Sequence, residues 1–263
     1  MTTWLLLLGV ALNAAGALTA RAKRALTGSG AASAFVVGFA IYFGLGVQGW
    51  VVLMTFFVTS TALSRVESAA KLRAAAMHDK GASRDAVQVL ANGGVPAAAA
   101  LVYAFTGEAA ALTAFVASVA AANADTWAGE VGMLSSRRPR SIVTFRPVET
   151  GRSGGVTPLG TAGAAAGSLA IGLVSWGLSW NWDADGVLFL LAVVSGFSAA
   201  ILDSVLGSTV QARYIDPAGL VTEKPSPGAT LAGGIRWFTN DAVNAVSGAS
   251  AAALAAILAA AVG

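Results

Sequence analysis

The chain has 263 residues, of which 56% are hydrophobic and only 11% are charged, and its 16 Lys and Arg against 13 Asp and Glu give a net charge of +3. Soluble domains carry about 25% charged residues, so this composition excludes an ordinary soluble fold and indicates an integral membrane protein. The absence of cysteine and the single histidine exclude disulfide scaffolds, thiol nucleophiles, cysteine-bound metals and histidine-based triads.

Apolar segments long enough to cross a bilayer recur along the whole chain. A crossing helix needs about 20 apolar residues, or somewhat fewer where flanking side chains snorkel. The first segment has its basic residues after it, so we interpret it as a retained span rather than a signal peptide. We predict an all-α, polytopic bundle of about eight transmembrane helices, forming a single integral membrane domain over residues 1–263. The predicted helices are Thr3 to Ala20, Gly30 to Leu45, Gln48 to Ser64, Ala86 to Phe105, Ala109 to Met133, Thr157 to Trp180, Gly186 to Gln211 and Phe238 to Val262.

The basic residues test this division, because positively charged loops favour the cytoplasmic side of a membrane. They fall in every second loop, whereas the short loops between carry only the acids Glu108, Asp183 and Asp185. The pattern predicts that both termini lie outside, and that the long polar loops face the cytoplasm from the inner membrane of a cell.

Two aspartates lie inside the fifth and seventh predicted helices. Asp125 and Asp203 each open the pattern Asp, hydroxyl residue, two further residues, Gly, which leaves an internal repeat open as an interpretation. At about 1.5 Å per residue, each lies roughly 25 Å past the outer start of its helix, near the cytoplasmic end of the hydrocarbon layer. A carboxylate there costs on the order of 2.5 to 3.5 kcal/mol and usually faces a polar cavity or a partner.

Paired carboxylates without thiols or imidazoles suit Mg²⁺, which prefers oxygen ligands. We therefore predict that Asp125 and Asp203 bind Mg²⁺ within a catalytic cluster that includes Asn123 and Glu130. The alternative is that the acids are structural, with hydroxyls, backbone groups or loop arginines as their partners.

The loop after the fifth predicted helix, VETGRSGGVTPLG, has the composition of a phosphate-binding turn. Its glycines allow backbone N–H groups to face an anion, its arginines can bind phosphate in a bidentate manner, and a helix N-terminus follows. The loop does not match the Walker A motif, and its glycine spacing alone is a weak signal of phosphate binding. The alternative interpretation is a flexible basic loop. The predicted phosphate-binding residues are Arg146, Thr150, Arg152, Ser153, Gly154 and Gly155.

Two more polar faces enter the membrane from the basic side. Arg84, Gln88 and Asn92 follow each other at intervals of four and so share one side of the fourth predicted helix. The last helix begins with Asn240, Asp241 and Asn244, and Lys224 lies in the loop before it. Hydrogen bonding between helices is the alternative role for these groups.

Four short blocks, RDAVQVLANGG, ANADTWAGEVG, TGRSGGVTPLG and LDSVLGSTVQ, resemble in order and spacing the membrane family that contains plant phytyl-phosphate kinase and animal transmembrane protein 19. The resemblance implies phosphorylation of an isoprenoid monophosphate to the diphosphate by a nucleoside triphosphate, with CTP as the first expectation. By that similarity the first acidic helix end holds Asn123, Asp125 and Glu130, the phosphate loop spans Arg152 to Gly155, and the second acidic helix end holds Asp203.

These patterns and the resemblance together assign roles. Arg146, Arg152 and Lys224 would hold nucleotide phosphates, and Arg84, Gln88 and Asn92 would contact the phosphate of the lipid, whose tail lies between helices. The expected partners are therefore the lipid, the nucleotide and the bilayer, without nucleic acid and with a homo-oligomer left open. A CTP-dependent cytidylyltransferase, a polyprenol kinase, a lipid transporter or flippase, and a structural scaffold are the competing readings.

Overall fold

The computed structural model describes residues 2–68, 83–178, 186–223 and 225–262. In this part of the chain seven helices are long and apolar enough to cross a membrane. They confirm the predicted all-α membrane bundle. The helices are α1 (Thr3–Ala22), α2 (Gly28–Ser64), α3 (Ala86–Thr106), α4 (Ala109–Gly132), α5 (Pro158–Gly177), α6 (Val187–Thr209) and α7 (Asn240–Val262).

Helix α2 covers the second and third predicted helices and folds back on itself at Gly46. Gly46 has φ +64° and ψ −155°, a conformation outside the helical region. A straight helix of 37 residues would be about 55 Å long. Instead, the Arg65 guanidinium just after α2 donates to the Lys23 carbonyl just before it, at 3.2 Å. The two arms, 28–45 and 47–64, are therefore antiparallel, and the count of about eight crossings agrees with the prediction.

Helix α4 is the centre of the bundle. Every residue from Ala111 to Ala124 is buried, because alanine side chains let neighbouring helices approach on all sides. Along α5, Gly160, Gly163 and Gly167 lie against the α4 backbone, where an added methyl group would come within about 3 Å of its carbonyl oxygens. The close packing of α4 fixes the position of any polar side chain it carries.

Short strands organise the two basic loops at one end of the bundle. β1 (Arg140–Ser141) pairs antiparallel with β2 (Gly155–Val156) between α4 and α5. β3 (Arg213–Ile215) lies between β4 (Val221–Thr222) and β5 (Thr230–Gly233) in a three-stranded antiparallel sheet between α6 and α7. The sequence analysis did not predict these strands.

Within the described ranges, the basic loops gather at one end of the bundle, which we call the polar end. There, the backbone of Arg84 forms two hydrogen bonds of 3.0 Å with Ala25 and Thr27, and Ser64 donates to Glu130 at 2.6 Å. The hairpin at Gly46 and the turn at Gly107 lie at the opposite end. Helix α1 begins and α7 ends at that opposite end, so the two termini lie on the same side, as predicted.

Candidate functional site

A cavity of about 750 Å³ runs from the polar end into the bundle; we call it the groove. Its inner half is apolar, and its outer half collects side chains from α3, α4 and α7. Eight of the predicted site residues line this outer half: Arg84, Gln88, Asn92, Asp125, Glu130, Asn240, Asp241 and Asn244. The structure thus brings together residues that are up to 160 positions apart in the chain.

The carboxyl groups of Asp125 and Asp203 lie close enough to share a proton or a cation. Asp203 is buried, whereas Asp125 is partly exposed to the groove. Beside them is a void of about 10 Å³ that both acids line, together with Asn92, Asn244 and Ser247. Asn92, Asp125 and Asn244 line both spaces, so they separate the void from the groove.

Three oxygens around this void have no hydrogen-bond partner in the described part of the chain. Asp203 Oδ2 and Asn244 Oδ1 accept no hydrogen bond. The Ser247 hydroxyl faces Asp203 but forms no hydrogen bond of acceptable geometry. A buried polar atom left unsatisfied costs about 1 to 3 kcal/mol. Three such oxygens at one place, one of them on the Asp203 carboxyl group, make this void a candidate ligand site.

The donors around the void fit Mg²⁺ in chemistry, since all are carboxylate, amide or hydroxyl oxygens. A void of about this volume holds a single water-sized particle. No group of three or more Asp, Glu or His side chains that could hold a metal occurs among the described residues. A cation here would therefore depend on two carboxylates, on neutral oxygens and on the oxygens of a bound substrate.

Arg84 places a cation at the point where the polar and apolar halves of the groove meet. Its guanidinium carbon lies 5.8 Å from the ring centroids of both Phe56 and Phe57. Burial lowers the pKa of Arg84 from its ordinary value, and the nearby Glu130 carboxylate opposes that shift. A partly desolvated arginine held against aromatic rings is suited to binding an anionic headgroup.

Gln88 and Asn92 extend from Arg84 along the same face of α3. Gln88 Oε1 accepts from the backbone of Asp85 at 3.1 Å in a capping box, so its amide nitrogen is the group that can donate to a ligand. Asn92 Nδ2 donates to the Gln88 carbonyl at 3.1 Å, which leaves its oxygen toward the void and groove. The predicted stripe therefore forms one wall of the site.

The predicted phosphate loop lies beside the groove and not in its wall. Its glycines adopt positive φ at Gly151 and Gly154, and Gly154 packs so closely on α6 that a side chain would overlap Ser208. None of the loop residues predicted to bind phosphate is among those lining the groove. Lys224, predicted to act with them, lies outside the described residues.

Ser153 connects this loop to the groove. It donates to Glu223, which lines the groove, and accepts from Gln211 Nε2 at 3.0 Å. Arg152 lies near Arg213, whose pKa is lowered by burial and by the charge of Arg152, and raised by Glu223. Two adjacent arginines at the edge of the groove form a basic patch in which an anion would relieve mutual repulsion.

Sequence reasoning missed Arg213, Glu223 and Ser247. The first two lie on and beside strands that the sequence did not predict. Ser247 is one of several small residues in an alanine-rich helix, and only its spacing, one turn after Asn244, marks it as part of the same face.

Asn123, predicted to belong to the catalytic cluster, is placed away from both cavities. It is fully buried, accepts from Thr59 at 3.2 Å and Ser60 at 3.3 Å, and donates to the Gly167 carbonyl at 2.8 Å. These bonds join α4 to α2 and α5. Asn123 therefore positions the helix that carries Asp125.

These features define a polytopic helical membrane protein with a two-carboxylate site beside an amphipathic groove. The chain belongs to the family described as Integral membrane protein DUF92, whose model matches residues 11–252. It is 30% identical to Protein PGR of Arabidopsis thaliana, over 92% of each chain. This agrees with the resemblance, seen in the sequence blocks, to the family of plant phytyl-phosphate kinase.

Two microbial relatives are described as uncharacterized membrane proteins. One, from Methanocaldococcus jannaschii, is 32% identical over 83% of this chain and 87% of its own. The other, from Synechocystis, is 28% identical over 89% of this chain and 82% of its own. No solved structure matches the chain.

Proposed function

We propose that the protein is a membrane-embedded, Mg²⁺-dependent phosphotransferase. It converts a phytyl-like isoprenoid monophosphate to the diphosphate, and takes the phosphoryl group from a nucleoside triphosphate, with CTP as the expected donor. The observation that carries the proposal is the groove itself, because one continuous cavity joins an apolar half to Arg84 and Asp125, and the void that Asp125 shares with Asp203 lies directly beside it. A lipid with one charged end matches this division.

The outer half of the groove supplies the groups for the lipid phosphate. Arg84 is placed to bind phosphate oxygens, and the Gln88 amide can add a neutral donor. The tail then enters the apolar half past Phe56 and Phe57. This arrangement fixes the acceptor oxygen near Asp125, and positioning is the main requirement of phosphoryl transfer.

Asp125 and Asp203, with Asn92 and Asn244 beside them, are the residues that would hold Mg²⁺. When bound, the ion would neutralise charge on the transferring phosphoryl group. The acceptor monophosphate is already largely ionised near pH 7, so this chain needs no general base for the transfer. Glu130, which accepts a hydrogen bond from Ser64, lies near Arg84 and favours its charged form.

The nucleotide would approach from the basic loops that border the groove, on the side that we expect to face the cytoplasm. Arg146, Arg152 and Lys224 are the proposed contacts for its phosphates, and Arg213 adds a fourth cation beside Arg152. Gly154 and Gly155 shape the turn, and Thr150 and Ser153 carry hydroxyl groups in the same loop. Ser153, through Glu223, joins this nucleotide side to the groove.

The test is incubation of the purified protein with Mg²⁺, geranylgeranyl monophosphate and CTP labelled either in the γ-phosphate or in the base. We expect γ-label in a lipid diphosphate. Asp125→Asn and Asp203→Asn should each lower the rate about 100-fold or more, because each removes a carboxylate that would hold Mg²⁺. The matched control is Glu108→Gln, since Glu108 is an exposed acid at the opposite end without a side-chain capping bond.

Other products would identify a competing function. Transfer of the base label to the lipid, with release of pyrophosphate, would identify a cytidylyltransferase. Phosphorylation of a free polyprenol would identify a polyprenol kinase. Lipid movement across proteoliposomes without nucleotide turnover would indicate a transporter. Unchanged rates in both Asp variants would remove the carboxyl pair from the mechanism.

A further inference from the structure

We propose that the apolar half of the groove binds one hydrocarbon chain of a single-chain lipid phosphate and limits its length at a floor formed by Trp50, behind which the contact between Gly9 and Tyr42 closes the space between α1 and the first arm of α2. This inference rests on the proposed function for the identity of the headgroup. It adds the location of the tail and the residues that select tail length.

The walls of this tail site come from the first two helices and from α3. Apart from Asn13 of α1, the side chains that face it are apolar or small, and they lie on α1, on both arms of α2 and on α3. They include Leu12, Gly16, Ala17, Ala34, Leu53 and Phe57. The wall is open at Gly16, where an added Cβ atom would meet no other atom within 4 Å.

The tail site closes at its far end. Below Asn13, Gly9 packs directly on the ring of Tyr42, so that a methyl group there would overlap the ring. Tyr42 is only 2% exposed. Trp50 lines the same region of the groove from the second arm of α2. These contacts close the space between α1 and the first arm of α2, so the groove does not continue there.

The depth of the site follows from helix geometry. A phosphate bound by Arg84 starts the tail beside Phe56 and Phe57, because the guanidinium lies 5.8 Å from both ring centroids. From Phe57 to Trp50 the helix rises about 10 Å at 1.5 Å per residue. The enclosed part of the tail is therefore shorter than a membrane leaflet, and a longer chain has to bend or leave the groove beside α1.

The volume favours one chain over two. The whole groove, with its polar half, has about 750 Å³, and cavities of roughly 300 to 1,000 Å³ hold one small ligand. In a membrane, hydrocarbon gains little by moving from lipid to protein. This site therefore selects among lipid tails by steric fit, and the shape of its floor determines which tail lengths fit.

Binding without nucleotide tests the tail site separately from catalysis. The purified protein in detergent is titrated with geranyl, farnesyl and geranylgeranyl monophosphate, and complexes are counted by native mass spectrometry. Gly16→Phe fills the groove above the floor and should weaken geranylgeranyl monophosphate binding by about tenfold or more, with a much smaller effect on the geranyl compound. Trp50→Ala should shift preference toward the longest tail.

The matched control is Gly94→Phe. Gly94 also lies within a helix and also has no atom within 4 Å of an added Cβ, but it does not line the groove. The inference would be overturned if Gly16→Phe and Gly94→Phe weakened binding equally. It would also be overturned if affinity did not depend on tail length in the wild type, Gly16→Phe and Trp50→Ala proteins. Tail-length selection that follows these variants would support it even if no phosphoryl transfer occurs, and in that case the proposed enzymatic function alone fails.

Discussion

Arg84 shows the conflict between stability and binding at a single residue. Both of its backbone groups are hydrogen bonded to the segment between α1 and α2, so its position does not depend on the guanidinium. Burial lowers the pKa of that guanidinium, and Glu130 offsets only part of the shift. The charged form is thus less favourable in the folded protein than in the unfolded chain.

The sign of this effect gives a prediction. A cation whose pKa is lowered by folding destabilises the fold at every pH below that pKa, which includes the neutral range, and the cost disappears only in strongly alkaline solution. Arg84→Met should therefore raise the thermal unfolding temperature at pH 7 while it abolishes binding of geranylgeranyl monophosphate, as expected for a functional residue that costs stability. Thermal unfolding in detergent and native mass spectrometry measure the two effects.

Arg138→Met is the control for this prediction, because Arg138 is exposed and distant from the groove lining. It should leave both quantities unchanged. A lower unfolding temperature for Arg84→Met than for the control would mean that the contacts with Phe56, Phe57 and Glu130 outweigh the desolvation of Arg84.

At the scale of the element, the reversal of α2 depends on one residue. Gly46 combines positive φ with an extended ψ, a region that is essentially restricted to glycine. An added Cβ atom at Gly46 would meet nothing within 4 Å, so any cost of a substitution there comes from the backbone alone.

Gly46→Ala should consequently lower the free energy of unfolding by about 1 to 3 kcal/mol. Gly94→Ala is the matched control, since Gly94 is equally unobstructed but lies within α3. There, alanine should stabilise the protein by about 0.5 to 1 kcal/mol, because it restricts the unfolded chain. Unfolding by denaturant in mixed micelles compares the two, and equal effects would show that the hairpin does not need the glycine conformation.

Sequence patterns predicted the helices well because hydrophobic length and loop charge are local properties. The stripe of Arg84, Gln88 and Asn92 was also predictable, since the period of a helix places its members on one face. The sequence did not reveal that Asn123 and Asp125 have different environments in the structure. These residues are about 200° apart around α4, and only the packing of its neighbours decides which of them faces a cavity and which bonds other helices.

The void beside the two acids was likewise beyond sequence reasoning. It forms where α3, α4, α6 and α7 meet, and its position depends on how those helices pack. The loop after α4 was predicted as a phosphate-binding turn, with a flexible basic loop as the alternative, whereas the structure pairs β1 with β2 there and packs Gly154 on α6. Strands of two to four residues are difficult to recognise in a sequence, because the alternation of apolar and polar residues that indicates a strand must extend over more residues.

At the scale of the whole molecule, the separation of charge assigns an orientation. The described basic residues of the loops gather at the polar end, and the turn at the other end that joins α3 to α4 contains Glu108. Since positive loops remain in the cytoplasm, the groove should open toward the compartment that contains nucleotides. Under the proposed function, this orientation would let a soluble donor and a membrane-bound acceptor meet at one surface.

The absence of cysteine makes this orientation directly measurable with single labels. Arg138→Cys at the polar end and Glu108→Cys at the opposite end both replace exposed residues. In intact cells a membrane-impermeant maleimide should label Glu108→Cys alone, and in inverted membrane vesicles it should label Arg138→Cys alone. The reverse pattern would place the groove outside and remove access to cytoplasmic nucleotide, whereas labelling of both positions from one side would contradict the two-ended bundle itself.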